Sequence, residues 1–321
     1  MVFNGQTKEK WGLCFAGGGG KGAYEIGVWK ALSECTSLKF EAVSGTSVGA
    51  LNAALFATVS VSEAEKIWKS VTPEQILKPS EESVKEFLKY VSSKYTKYKM
   101  GPCIGTASTF NTVLCNVMDL LDKIPLKPEL LKYILEEGLF SIEGLRKIIN
   151  ESKIVDNLCN SDMKCFASVC NVQESKSVVE YLQLNTLHKD EIENALLASS
   201  ALPFIYGKVE LEGKKYRDGG LIDNVPIKPL YGYGCTHIVV VHLNPLHIER
   251  RGNKTEKELC KYQDAQILSI YPRRELTGLK SIVGLLDFSP KTIQKLIDAG
   301  YEDTKEYINN GLKGKNYVLG I

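Results

Sequence analysis

Short apolar runs alternate with helical patterns along the first part of the chain. Trp11–Phe15 and Phe40–Val43 have strand length, and each is followed by a glycine-containing loop. Lys21–Leu32 then places apolar residues at helical spacing, and Ala50–Ala57 is rich in small residues. A short apolar run bounded by glycine is typical of a buried strand, and repeated strand–loop–helix units are typical of a parallel sheet covered by helices. The pattern therefore predicts an α/β layered fold.

The rest of the chain continues this pattern around a helical middle part. We expect strands over 163–172, 178–182 and 237–243, a hairpin over 209–217, and helices over 191–199 and 291–309. Residues 61–150 contain helical patterns and loops, which predicts a helical insertion. No internal repeat and no linker rich in Pro, Gly or Ser divides the chain. Its 321 residues are therefore predicted to form one domain, although length alone suggests about two.

Composition excludes several classes of protein. Hydrophobic residues make up 44% of the chain and charged residues 24%, which excludes a mostly disordered protein. The formal net charge of +2 argues against a nucleic-acid partner, because such proteins usually carry a strong basic excess. The best apolar run, Ile238–Val241, is far shorter than the ~20 residues that span a membrane. The polar start also lacks a signal-peptide pattern, so we expect a cytoplasmic location, with export by another route left open.

The cysteines and histidines predict no metal centre. The nine cysteines are irregularly spaced and include no C-x-x-C pair, which in a chain of this length is typical of reduced, buried thiols. Cys165 with Cys170, and His237 with His242, fall at loosely ligand-like spacings. Each pair lies on a predicted strand, where an odd separation points the two side chains to opposite faces. We expect neither a metal nor another cofactor.

The loop after the first strand is Gly17-Gly18-Gly19-Gly20-Lys21-Gly22. Glycine N–H groups at the start of a helix can approach and bind a negative group. A P-loop is excluded, because Phe15 stands where that motif needs glycine and Gly22 where it needs Ser or Thr. A flexible turn, a dinucleotide site with Glu41 as its acidic residue, and an oxyanion hole for acyl transfer stay open. Glu41 lies inside a predicted strand and not at its end, which disfavours the dinucleotide site.

A second loop, Gly45-Thr46-Ser47-Val48-Gly49, has the pattern G-x-S-x-G. A predicted strand before it and a small-residue helix after it match a nucleophile elbow, so Ser47 is a candidate nucleophile. Serine needs a neighbouring base. His242 could complete a Ser-Asp-His triad, whereas Asp218 follows a predicted strand and precedes two glycines that allow a tight turn. A helix cap at Ser47 and an ordinary Asp-Gly turn are the purely structural alternatives.

Taken together, these segments resemble the patatin-like phospholipase family. The glycine loop resembles the family's oxyanion loop, and Gly45–Gly49 resembles its nucleophile elbow. Ala198–Phe204 is similar to the segment before the base, and Asp218-Gly219-Gly220 is similar to the D-G-[AG] motif. The four motifs occur in the family's order, and the resemblance covers roughly residues 11–232. One departure is Ala16, where many members have Asp.

The resemblance implies a fold and a reaction. The implied fold is a three-layer α/β/α sandwich with a mostly parallel central sheet. The implied reaction is hydrolysis of carboxylic esters of lipids, of phospholipase A or lysophospholipase type, without a cofactor. Ser47 would attack the ester and Asp218 would act as general base, with no catalytic histidine. The implied oxyanion and substrate residues are Gly17, Gly18, Gly19, Gly20, Lys21 and Gly22, and the motif glycines are Gly45, Gly49, Gly219 and Gly220.

The resemblance also sets the predicted domain limits and the alternatives. Residues 11–232 would form the patatin-like domain with its insertion at about 61–150, and 233–321 would complete the same domain. A nucleotide-binding oxidoreductase and a partner-activated lipid-binding protein remain the alternative functions. We expect a lipid or phospholipid substrate and no nucleic acid.

Residues 78–125 are a candidate lid or lipid-docking surface. Aromatic and aliphatic residues alternate there with lysines: Phe87, Leu88, Tyr90, Val91, Tyr95 and Tyr98 with Lys85, Lys89, Lys94, Lys97 and Lys99. Such a face suits peripheral contact with an anionic bilayer. An amphipathic helix packed on the core, with its lysines in water, is the alternative interpretation.

Overall fold

The strands that the apolar runs predict come together in one mixed sheet. A computed structural model describes residues 9–80, 83, 85, 128–173, 176–251, 261–262, 264–277, 285–309 and 318–319. The strands are β1 (Trp11–Phe15), β2 (Phe40–Thr46), β3 (Lys164–Asn171), β4 (Val178–Gln183), β5 (Val209–Leu211), β6 (Lys214–Asp218), β7 (His237–Val241), β8 (Gln266–Ile270) and β9 (Val318–Leu319). Their order is β5-β6-β3-β2-β1-β7-β8-β9, and β4 also pairs with β3.

The central part of the sheet is parallel, and the antiparallel strands lie at one side. From β3 through β2, β1, β7 and β8 to β9, each strand is parallel to the next one in this series. β4 and β6 pair antiparallel with β3, and β5 pairs antiparallel with β6 as a hairpin. The expected mostly parallel sheet is confirmed, and the hairpin lies in the predicted segment.

Helices cover both faces of this sheet. They are α1 (Ala23–Cys35), α2 (Val48–Thr58), α3 (Val61–Ser70), α4 (Pro73–Ile76), α5 (Pro128–Glu137), α6 (Glu143–Glu151), α7 (Ile154–Leu158), α8 (Lys189–Ser199), α9 (Lys228–Gly232), α10 (Leu246–Arg251) and α11 (Pro290–Asn309). Leu13 and Phe15 of β1 face the larger core, whereas Cys14 between them faces a smaller core under α9. This alternation follows from the period of two in a strand. The expected α/β/α layers are confirmed.

Helices α1 and α11 pack closely against each other through two glycines. A Cβ at Gly27 would overlap the Ile297 carbonyl, and a Cβ at Gly300 would overlap the Tyr24 carbonyl. The Tyr24 hydroxyl also donates a hydrogen bond to Asp303 at 3.1 Å. The C-terminal helix therefore buries the outer face of the first helix and forms part of the same core.

Two sequence predictions differ from the structure or lie outside it. Strand β2 continues to Thr46 rather than ending at Val43, because Ser44, Gly45 and Thr46 are buried and pair with β3. Most of the expected docking segment 78–125 lies outside the described residues. The described parts of the insertion include α3 to α6, as the helical patterns predict.

Candidate active site

The carboxyl ends of the parallel strands meet at one edge of the sheet, and Ser47 lies there at the turn from β2 into α2. Its φ of 57° and ψ of −127° place a non-glycine residue in the left-handed region, a conformation that costs about 1–3 kcal/mol. The turn needs glycine on both sides: a Cβ at Gly45 would overlap the Gly49 backbone, and one at Gly49 would lie 2.6 Å from the Phe15 carbonyl oxygen. The strained, tightly packed turn exposes the Ser47 hydroxyl above the sheet, which is the geometry of a nucleophile elbow.

The Ser47 side chain interacts with Asp218, the last residue of β6, and both residues line one cavity. Asp218 is 3% exposed, and its Oδ1 accepts the Gly220 N–H at 2.7 Å. Burial raises the pKa of Asp218 to about 6, although the neighbouring Ser47 side chain and the Gly220 N–H oppose this shift. A carboxylate with such a pKa is largely ionised at neutral pH and can still accept and return a proton.

A serine outside the elbow holds the backbone of Ser47. Ser199, the last residue of α8, accepts the Ser47 N–H at 2.9 Å and donates its own hydroxyl to the Ser168 carbonyl at 2.8 Å. Ser199 is fully buried, so both bonds are shielded from water. The segment Ala198–Phe204 therefore supports the elbow, a role that its sequence alone does not indicate.

The glycine loop lies beside Ser47 and is fixed by Asn224. The Gly17 N–H donates to the Asn224 carbonyl at 3.1 Å, and the Asn224 Nδ2 donates back to the Gly17 carbonyl at 3.0 Å. Gly17, Gly18 and Gly19 line the cavity that contains Ser47. Among the described residues, neither Gly18 N–H nor Gly19 N–H donates to another backbone group. These two N–H groups are therefore the candidate oxyanion donors.

The second half of the glycine loop joins the site to α1. Gly19–Gly22 form a 3₁₀ turn, in which Gly20 and Gly22 are buried. The Lys21 ammonium donates to the Asn244 Oδ1 at 3.1 Å, and Asn244 lines the cavity. Of the six predicted loop residues, Gly17, Gly18 and Gly19 line the cavity, whereas Gly20, Lys21 and Gly22 are not among the described lining residues.

Ser47 and Asp218 lie in a cavity of about 340 Å³ that is lined largely by apolar side chains. One wall is α2, which contributes Val48, Leu51 and Leu55. Further apolar lining residues are Ile67, Trp68, Val71, Ile76, Leu145, Ile148, Ile149, Ile154, Leu202, Ile205, Leu221, Leu285, Leu286 and Phe288. A mostly apolar pocket with a few converging polar groups is the usual form of a small-molecule site.

Comparison with known proteins identifies the family. A family model described as patatin-like phospholipase matches residues 13–231, which is more than half of the chain. The chain belongs to the patatin-like phospholipase family. Membership supports lipid hydrolase activity in general, and it agrees with the resemblance that the four motifs indicate.

Solved structures with a similar arrangement share little sequence with this patatin-like chain. VipD from Legionella pneumophila is 14% identical with a TM-score of 0.46, and the match covers 94% of this chain and 67% of VipD. The type III effector ExoU is 17% identical with a TM-score of 0.44, and the match covers 94% of this chain and 53% of ExoU. ExoU in the ExoU–SpcU complex of Pseudomonas aeruginosa is 16% identical with a TM-score of 0.36, and the match covers 94% of this chain and 51% of that chain. The chain thus spans about half of the ExoU chain, and a search of curated proteins finds no match.

The patatin-like site rests on a buried polar cluster that sequence reasoning missed. Glu25 of α1 is fully buried and accepts the Asn52 Nδ2 at 2.7 Å, and Asn52 accepts the Trp68 Nε1 at 2.8 Å. Asn52 also donates to the Gly22 carbonyl at 3.0 Å. Burial raises the pKa of Glu25 well above its usual range. The cluster connects α1, α2, α3 and the glycine loop below the cavity.

His242, the alternative base, lies elsewhere in this patatin-like domain. Its ring stacks on Tyr271 with 4.0 Å between centroids, and its Nε2 lies 3.4 Å from the Ser269 hydroxyl. Burial lowers the pKa of His242 to about 3. The described residues that line the Ser47 cavity do not include His242. Asp218, by contrast, lines the same cavity as Ser47.

Metal-binding clusters and membrane-spanning helices are absent from the part of the chain that the structure describes. Within the described ranges, three or more His, Cys, Asp or Glu side chains nowhere gather in a way that could hold a metal ion. The helices of these ranges also include none that is long and apolar enough to cross a bilayer. Of the six cysteines in the described ranges, Cys14, Cys165, Cys170 and Cys235 are buried and Cys35 and Cys159 are exposed.

Proposed function

We propose that the protein is a serine lipid acyl hydrolase of phospholipase A or lysophospholipase type, which uses a Ser47–Asp218 dyad. The observation that carries the proposal is the placement of Ser47 and buried Asp218 together in one largely apolar cavity. Membership of a lipid hydrolase family supports it. Ser47 would be the nucleophile and Asp218 the general base.

The dyad accounts for both halves of the reaction. As the Ser47 oxygen attacks the ester carbonyl carbon, its proton moves to Asp218 and a tetrahedral oxyanion forms. When the oxyanion collapses, the ester C–O bond breaks and Asp218 returns the proton to the leaving alcohol. Water then attacks the acyl-serine and gives its proton to Asp218. Collapse of the second intermediate releases the fatty acid, and the proton returns to Ser47.

The glycine loop would stabilise the oxyanion. Gly18 and Gly19 line the cavity that contains Ser47, and the double hydrogen bond between Gly17 and Asn224 holds the loop in place. A donor that is fixed before the reaction needs no reorganisation as charge develops. Loss of one such donor typically lowers kcat by about 10²–10³-fold.

The cavity would bind the acyl chain. Its wall on α2 extends from Val48 to Leu55, and each methylene buried against such a surface is worth about 0.8 kcal/mol. An acyl chain seated there would bring its carbonyl carbon to Ser47. A nicotinamide dinucleotide, by contrast, needs a ribose-binding acid at the end of the second strand, and Glu41 lies within β2.

Labelling with a fluorophosphonate probe tests the proposal. The wild-type protein should react covalently and hydrolyse members of a panel of phospholipids and lysophospholipids. Ser47→Ala should abolish both, whereas Ser62→Ala, at an exposed position of α3 outside the cavity lining, is the control and should change neither. Full hydrolysis by Ser47→Ala would refute the assignment. Labelling of the wild type without turnover would favour the partner-activated lipid-binding alternative. A cytoplasmic location, peripheral membrane contact and the absence of a cofactor stay predictions.

A further inference from the structure

The turn after Asp218 carries two adjacent, exposed aliphatic side chains. Leu221 is 49% exposed and Ile222 is 43% exposed. In the described part of the chain, the other exposed large apolar side chain is Val178, at 46% on β4. Single exposed apolar residues are common on protein surfaces and need no explanation. The position of this pair is what distinguishes it.

Leu221 and Ile222 lie where the catalytic cavity opens to solvent. Leu221 lines the cavity together with Ser47 and Asp218, although about half of its surface is exposed. Gly220 and Asn224, on either side of the pair, are also exposed. The Leu221 side chain therefore faces both the cavity and solvent, with Ile222 exposed directly beside it.

The turn is held firmly and presents little charge. The N–H groups of Ile222 and Asp223 donate to the Gly219 carbonyl at 3.0 and 2.9 Å. Between Gly219 and Val225 the ionisable side chain is Asp223, which is partly buried and accepts the Tyr181 hydroxyl at 2.6 Å. The aliphatic pair can therefore enter an apolar layer without taking an exposed carboxylate with it.

We propose that Leu221 and Ile222 are an interfacial contact, which seats the mouth of the cavity on a lipid surface. The inference rests on the proposed function, because the substrate would enter the cavity from that surface. A lipid that leaves the bilayer at this turn would meet Leu221, which lines the same cavity as Ser47. Because this contact is hydrophobic, we expect it to bind zwitterionic lipid as well as anionic lipid.

Ile222 offers a clean test, because it does not line the cavity, and Val178 is a matched control with similar exposure. Binding would be measured in a Ser47→Ala background by co-sedimentation with phosphatidylcholine vesicles. Ile222→Asn should weaken binding by about tenfold, Ile222→Trp should strengthen it, and Val178→Asn should leave it unchanged. In the active protein, Ile222→Asn should lower hydrolysis of vesicles and leave that of a short, monomeric ester unchanged.

The outcomes separate this inference from the proposed function. Equal binding by wild type and Ile222→Asn, or equal losses in Ile222→Asn and Val178→Asn, would overturn the interfacial contact. So would a change of oligomeric state in Ile222→Asn by analytical ultracentrifugation, which would assign the pair to contact between two copies. If the wild type hydrolyses neither substrate, the proposed function fails, while the vesicle-binding comparison still decides the contact.

Discussion

At the scale of single residues, the buried carboxyl of Asp218 connects activity to pH. If Asp218 is the base, kcat/KM for a soluble ester should fall about tenfold per pH unit below the pKa of about 6. Asp218→Asn should lose about 10²–10⁴-fold in kcat and abolish this pH dependence. A pH–rate profile of both proteins checks the prediction. An unchanged acid limb in Asp218→Asn would assign that limb to another group.

The same burial predicts a gain in stability when Asp218 is neutralised. Its folded pKa of about 6 exceeds the usual value of 3.8, so wild-type stability falls as pH rises through this window and stays lower above it. A shift of about two units corresponds to about 3 kcal/mol. Asp218→Asn should therefore unfold at higher denaturant concentration than the wild type at pH ~8, by up to this amount. The advantage should disappear near pH ~4.

His242 provides the opposite case. Its pKa is lowered to about 3 by burial, so the folded protein keeps a neutral ring and loses stability as pH falls below the usual value of 6.5. His242→Phe replaces the imidazole with another aromatic ring that can stack on Tyr271 and cannot titrate. We expect turnover within about threefold of wild type and a weaker loss of stability in acid. Loss of hydrolysis in His242→Phe with full activity in Asp218→Asn would reverse the assignment of the base.

Sequence reasoning finds residues with a motif of their own and misses those that act through distant partners. Ser47 and Asp218 belong to recognisable patterns, and the structure brings both to one cavity. Asn224 looks like an ordinary loop asparagine, because its partner Gly17 is 207 residues away. Glu25 falls on a helical pattern as a charged residue, and only the packing of three helices explains its burial.

At the scale of secondary-structure elements, Asn52 joins three helices. Asn52→Ala should leave the Glu25 carboxyl and the Trp68 Nε1 without their present partners. Each buried polar group left unsatisfied costs about 1–3 kcal/mol, so we expect a loss of about 3 kcal/mol in unfolding free energy. Asn157→Ala, at an exposed position of α7, is the control and should change stability by less than about 0.5 kcal/mol. Equal effects of both variants in denaturant unfolding would contradict the role of the cluster.

The limits of elements are predicted less well than their presence. Ser44–Thr46 has the composition of a loop, and yet it continues β2 because its backbone is paired on the β3 side. Hydrophobic periodicity cannot predict this part of the strand, because serine, glycine and threonine are not apolar and are buried here by the neighbouring strands. By contrast, α11 is predicted within one residue at its start, because Ser289 and Pro290 mark that end.

At the scale of the whole molecule, the segment after residue 232 belongs to the same sheet as the motifs. β7 pairs with β1 along its full length, and α11 packs on α1. A chain that ends at residue 232 should therefore fail to fold, which circular dichroism and probe labelling would detect. A chain that ends at Asn309 loses β9 at the sheet edge and should fold and react with the probe. Folding of the shorter chain would separate 233–321 as an independent domain.

The fold class follows from the sequence, whereas the strand order does not. Repeated strand–loop–helix units imply parallel strands, and the topology between them depends on contacts that no local pattern encodes. The placement of β7 beside β1, more than 220 residues away, is an example. The cavity is another, because its walls come from α2, α6 and segments near both ends of the chain.

Because Gly17 is hydrogen-bonded to Asn224, the glycine loop becomes fixed only late in synthesis of the chain. While the ribosome has made the elbow but not residue 224, the glycine loop lacks the clamp that holds it. A growing chain, or a fragment cut before that point, would therefore carry the nucleophile without a working oxyanion hole. If the protein hydrolyses lipids as proposed, turnover would begin only after Asn224 has bonded to Gly17, and an unfinished chain would leave the surrounding lipids intact.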